Sequence, residues 1–268
     1  MAPSTGVQTG EMLARVEDGI GWMTYSNPGR RNAVTLDMQR AIPVILGAFE
    51  ADPEVRVIVI TGAGEKAFVS GADISEFAEH RTSADARAEF DLVASRALQA
   101  WQQVEKPILA MIRAYCIGGG LATAMQADIR VAAEGSVFGI PAARLGIGYR
   151  LEFIEPLVAL VGPAWAAEML YTARRLSADE AHRIGLVNRV VPSAELTGQV
   201  RDLAMTIAAN APMTVRAAKV ALRELRRDPG ARNLDLAREL AEECFRSEDY
   251  VEGQRAFLEK RAPRFRGR

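Results

Sequence analysis

The spacing of apolar positions changes character several times along the chain, and each change marks an element. The run "VRVIVITG" (55–62) is almost continuously β-branched, which marks a strand buried on both faces. "IGWMTYSNP" (20–28) reads as a strand closed by a turn at Asn27-Pro28. After Thr35, a suitable cap, Leu36, Met38, Ile42, Ile45 and Phe49 follow helical spacing, with Pro43 expected to kink the helix. "KPILAMIRAYCI" (106–117) is again strand-like and runs directly into glycines, and "DIRVAA" and "SVFGIP" follow as short strands. Asp73 with Glu76, and Ser177 with Glu180, have capping-box spacing, and Gly185 closes the short helix that the second pair begins. From about residue 195 the pattern is helical almost throughout. The reading is an α/β core over 12–195, built from repeated β-then-α units, and a helical C-terminal region over 196–268.

Composition narrows the possible partners. With 268 residues, 49% hydrophobic and a formal charge of −1, nothing favours nucleic acid or an anionic membrane surface. Only the end, "KRAPRFRGR", is locally basic, and a solvated tail accounts for it as well as a binding role does. The two cysteines, Cys116 and Cys244, have neither metal-ligand nor disulfide spacing, and no metal is expected. The opening residues lack the basic-then-apolar order of a signal peptide, and no apolar run reaches membrane-span length. The expectation is a soluble protein of a reducing cytoplasm.

Two glycine clusters carry candidate chemistry. "VIVITGAGEKA" (57–67) fits a relaxed dinucleotide pattern, but Phe68, Val69 and Gly71 stand where an uninterrupted helix should begin. It reads as a loop between strands. In "AYCIGGGLATAMQAD" (114–128), strand, glycines and helix follow without interruption, so unpaired amides face outward at a helix start. Close packing of the helix start against a strand would equally require glycine there.

These segments carry a resemblance. "KAFVSGADISEF" (66–77) is similar to the oxyanion-hole segment of the crotonase, or enoyl-CoA hydratase/isomerase, superfamily. "KPILAMIRAYCIGGGLATAMQADIRVAA" (106–133) resembles its second signature, and "RRNAV" (30–34), "LSADEAHRIGLVNRVVP" (176–192) and "AFLEKR" (256–261) fit in the same order. The resemblance implies a spiral of ββα units with a C-terminal helical trimerisation region. It also implies acyl-CoA thioester substrates and a homotrimer or a hexamer made of two trimers. Coenzyme A would be part of the substrate, with no separate cofactor. The backbone amides of Ala72 and Gly119 would form the oxyanion hole. Arg31, Ala33, Ser70, Gly71, Asp73, Ile74, Gly118, Ala122, Ala142 and Lys260 would line the substrate, with Lys260 near the CoA phosphates.

The departures are as informative. Members that hydrate enoyl-CoA carry glutamates where this chain has Ala122 and Ala142, and alanine neither accepts a proton nor orients water. Standard hydration is therefore not expected. Arg113-Ala114 stand in place of the usual Asn-Gly, and "GYRLEFIEP" (148–156) replaces a glycine-rich loop. On that loop Glu152 is a candidate base and Tyr149 a candidate donor, with salt bridges to Arg144 and Arg150 as the alternative for Glu152. Decarboxylation, double-bond isomerisation and thioester hydrolysis remain open for such a pocket, as does a non-catalytic acyl-CoA-binding subunit.

Overall fold

The computed structural model describes residues 7–9, 11–73 and 84–268. Strand β1 (Val7–Thr9) begins a seven-stranded sheet. It continues through β2 (Met12–Glu17), β3 (Ile20–Tyr25), β4 (Val57–Gly62), β6 (Ile108–Ile112), β8 (Ile129–Ala133) and β11 (Arg189–Val191). The first two pairings are antiparallel and the rest are parallel. A second sheet has four strands in the order β10 (Leu176–Ser177), β9 (Val137–Gly139), β7 (Tyr115–Ile117) and β5 (Ala67–Val69). The expected α/β architecture is present.

Both faces of the large sheet are covered, which explains the unbroken apolar run in β4. Ile58 and Ile60 pack in one core with Met38, Ile42, Ile45 and Phe49 of the helix Leu36–Ala51. Val57 and Val59 pack in another with Leu196, Val200 and Ala204 of the helix Leu196–Ala208. The Thr35 hydroxyl caps the first helix by accepting from the Met38 amide at 3.2 Å, and the helix runs on through Pro43. The Ser177–Glu180 capping box forms as read. Residues 63–66 make a bend between β4 and β5, so the first glycine cluster opens no helix.

Among the described residues one helix, Leu151–Thr172, is long and apolar enough to pass for a membrane span by length and composition, through an 18-residue stretch of mean hydropathy 1.4. Glu152, Glu155 and Glu168 interrupt it, so no unbroken apolar run of span length occurs, as the sequence indicates. Gly162, at φ 76° and ψ 164°, interrupts its helical geometry between Pro156 and Pro163. Further helices occupy Pro212–Arg226, Leu234–Phe245 and Glu248–Glu259.

The basic end does not trail into solvent. Arg261 pairs with Glu252 and Glu259, the Arg264 amide donates to Glu252, and those of Arg266 and Gly267 donate to Asp249. Arg268 pairs with Glu248. The residues after 260 fold back along the last helix because its acidic side chains meet them.

Candidate functional site

The turn at residues 30–34 anchors the first segment of the site. Arg31 and Asn32 both have left-handed backbones, at φ 53° and 56°, a region that asparagine tolerates better than most residues. Asn32 is buried, and its side-chain amide donates to the carbonyls of Ala63 and Ala67 at 2.9 and 2.8 Å. Its carbonyl oxygen accepts from the Asn27 amide at 3.0 Å. Residues 70–73 then lie alongside this turn. Ser70 N donates to Arg31 O, Val34 N to Gly71 O at 2.8 Å, and Asp73 N to Val34 O at 2.9 Å. The buried Asp73 carboxylate meets Arg30 at 2.6 Å. Ala33 is buried beneath the turn.

The second segment approaches from β7. Gly118 adopts φ 55°, and its amide donates to Gly139 O at 2.8 Å, which ties the glycines to β9. The helix Gly119–Ala124 starts there, with Ala122 N donating to Gly118 O at 3.0 Å. Gly120 is pressed against β5: a Cβ on it would lie 2.0 Å from Val69 O. A Cβ on Gly119 would lie 3.3 Å from the Ala72 nitrogen, so these two residues face one another directly. Neither the Ala72 amide nor the Gly119 amide donates to an acceptor among the described residues. Gly119 is exposed and Ala72 half-buried, so a ligand can reach both. Two main-chain N–H groups without a described acceptor thus belong to neighbouring residues at this mouth.

Around the pair, Ala122 is buried and Ala142 half-buried at the start of a short 3-10 turn. The preceding Pro141 would lie 3.7 Å from a Cβ on Gly118. Tyr149 turns inward: its ring meets Phe153 at 5.9 Å between centroids and its hydroxyl comes to 3.5 Å from Gly118 O. Burial pushes the phenol well above its ordinary pKa, so it stays protonated. Glu152 goes the other way. It is exposed in the first turn of its helix, and Arg150 pairs with Asp91 at 2.8 Å instead. The loop thus brings the tyrosine to the glycines and leaves the glutamate outside.

The remaining polar and thiol side chains have the following surroundings. Cys116 is buried, and desolvation raises its thiol pKa, which leaves it protonated and inert. Asp128 braces Ile108 N at 2.7 Å and Lys219 at 3.0 Å. His182 Nδ1 lies 3.0 Å from Val187 O, within helix packing. Arg31 stacks over Tyr115 at 5.2 Å, and Arg175 approaches the same ring at 5.8 Å. Lys260 is exposed and ends the last helix at φ 54°. Ile74 and Glu76 lie outside the described residues. Among the described residues no group of three metal-ligating side chains occurs. Sequence reading missed Asn32; its one signal was a polar residue between arginines and an apolar pair, with its partners about thirty residues away.

Comparisons with known proteins bear on the family and the fold. Residues 15–268 match the family described as enoyl-CoA hydratase/isomerase. A short-chain-enoyl-CoA hydratase of Clostridium acetobutylicum is 34% identical over 255 residues, covering 95% of this chain and 97% of its own. A carnitinyl-CoA dehydratase of Salmonella typhi is 36% identical over 250 residues, covering 92% and 94%. The crystal structure of an enoyl-CoA hydratase/carnithine racemase from Magnetospirillum magneticum superposes with a TM-score of 0.91 at 33% identity, covering 98% of this chain and 97% of that one.

Proposed function

This chain belongs to the enoyl-CoA hydratase/isomerase family, and from that premise we propose that Ala72 and Gly119 hold the carbonyl oxygen of an acyl-CoA thioester between their amides. The observation that carries the reading is the approach of Gly119 to the Ala72 nitrogen, with both amides free of described acceptors. Any reaction that builds negative charge at the α-carbon delocalises it onto that oxygen. An oriented donor to such charge lowers the barrier by roughly 2.7–4 kcal/mol. Because the donors are main-chain groups, the side chain at position 72 is free to vary.

The side chains that would complete hydration are missing. With Ala122 and Ala142 in place of two carboxylates, and Glu152 facing solvent, no described side chain beside the amide pair holds water or acts as a base. The reaction is a lyase or isomerase step on a thioester enolate other than standard hydration, with thioester hydrolysis as the alternative on the same pocket. The same two alanines favour a second reading, an acyl-CoA-binding subunit without turnover. CoA passes along Ser70, Gly71 and Ala33, with Arg31 and Lys260 as cationic groups for its phosphates. The chain forms a trimer, or a pair of trimers, through its C-terminal helices. The exposed Phe245, Val251, Phe257 and Leu258 on those helices supply apolar surface for that contact.

The carbonyl is what the amide pair recognises, so its removal is the test. Butyryl-CoA and its thioether analogue, S-butyl-CoA, differ in that oxygen alone. Two hydrogen bonds of ordinary worth give the thioester roughly tenfold or greater advantage in calorimetric titration. Equal affinities would remove the amide pair from the site. Mass spectrometry of a mixed acyl-CoA panel after incubation then names the step, by loss of carbon dioxide, release of free CoA, or isomerisation at constant mass.

A further inference from the structure

We propose that the acyl pocket is selective for a thioester whose acyl group carries its own carboxylate, with the Tyr149 hydroxyl donating to that carboxylate. This rests on the placement of the thioester at Ala72 and Gly119 given above.

Three segments converge beside the amide pair. Gly118 leads into it, Pro141-Ala142 lies against Gly118, and Tyr149 reaches the same carbonyl from the following loop. The 3.5 Å separation between the Tyr149 hydroxyl and Gly118 O is far longer than the usual 2.7–2.8 Å of an O–H···O bond. Gly118 O also accepts from the Ala122 amide at 3.0 Å, and a carboxylate is a stronger acceptor than this shared carbonyl. The phenol proton can therefore exchange its long bond to Gly118 O for a ligand carboxylate. Burial holds the group neutral, which makes it a donor and not a base at neutral pH.

Charge around that hydroxyl decides what it receives. Positions 122 and 142 are uncharged, and Glu152 is turned out to solvent. An acyl carboxylate entering here meets a hydrogen-bond donor without facing like charge at either alanine. A purely hydrocarbon acyl group would instead leave the hydroxyl with only its long bond to Gly118 O. Carboxylates at 122 and 142 would have repelled such a ligand. Their replacement by alanine, together with an inward tyrosine, reverses the preference.

The test is calorimetric titration of malonyl-CoA and butyryl-CoA against the wild-type protein and Tyr149→Phe, with mass spectrometry of each sample to record any turnover. Wild type should favour malonyl-CoA. Tyr149→Phe should weaken malonyl-CoA roughly ten- to a hundredfold, as expected for a lost hydrogen bond to a charged group. Butyryl-CoA should bind the variant at least as well as wild type, which also shows that the variant is folded. A wild-type preference for butyryl-CoA overturns the proposal, as does a variant that weakens both ligands in parallel or neither. If neither thioester binds wild type, the placement at Ala72 and Gly119 itself fails and this inference falls with it.

Discussion

The mouth of the site and the C-terminal tail are held by opposite means. At the mouth, residues 70–73 and 118–120 are fixed mainly by main-chain hydrogen bonds, beside the Asp73–Arg30 ion pair, and by Gly120, which lies too close to Val69 O to carry a side chain. In the tail, side-chain charge does the holding, with Glu248, Asp249 and Glu252 gathering the guanidiniums and amides of 261–268. The mouth should thus respond to charge only through the Asp73–Arg30 pair and fail when a methyl is added at Gly120. The tail should tolerate changes of shape and fail when a charge is removed.

The most severe test of the comparison is a pair of neighbouring substitutions. In Gly120→Ala the new methyl would sit 2.0 Å from Val69 O, a backbone atom that cannot move aside without displacing β5. We expect a loss of about 3 kcal/mol or more, read from the urea midpoint. In Gly119→Ala the methyl meets Ala72 N at 3.3 Å, a contact relieved by a shift of a few tenths of an ångström. Alanine's better helix propensity, about 1 kcal/mol, offsets the strain, so stability should stay within about 1 kcal/mol of wild type. Thioester affinity should nevertheless fall about tenfold as the amides are pushed apart. A Gly120→Ala protein as stable as wild type would mean that the backbone apposition is not what holds the mouth.

A milder test concerns the approach to the glycines. Ala114 has φ 54°, where its Cβ crowds the following carbonyl. Ala114→Gly should stabilise the protein by about 1 kcal/mol, the relieved strain exceeding the entropy that glycine loses. For a chain of this size that raises Tm by about 2–4 °C. A lower Tm would show that the left-handed backbone at 114 costs nothing, and the steric account of the mouth would weaken accordingly.

What could be read in the sequence followed from how locally each feature is determined. The glycine triplet, the capping box and the doubly buried strand each lie within a few residues, so the sequence displays them whole. Asn32 has its carbonyl partners about thirty residues downstream, and no local pattern shows it turning inward. Tyr149 and Glu152 are three residues apart on one replaced loop with similar chemical promise. Only the start of the helix at Leu151 decides that one faces the glycines and the other faces water. The tail reads as basic residues in solvent until the acidic face of the preceding helix is placed beside it.

The smallest effect isolates charge in the tail. Hydrogen bonds from Arg261, Arg255 and the Arg264 amide hold the Glu252 carboxyl well below its ordinary value of 4.5. A carboxylate so depressed stabilises the docked tail fully above pH 4.5, and that contribution is lost as pH falls below it. The protection factor of the Arg264 amide, which donates to Glu252 at 2.9 Å, should be flat from neutrality to about pH 5 and then decline. In Glu252→Gln the amide keeps an acceptor but the arginines lose their charge partner. Its protection should be lower at neutral pH and its acid response largely removed. The Arg266 and Gly267 amides, which donate to Asp249, serve as the internal reference at neutral pH. If Glu252→Gln reproduces the wild-type profile, shape and not charge docks the tail, and the two regions differ less than their hydrogen bonds imply.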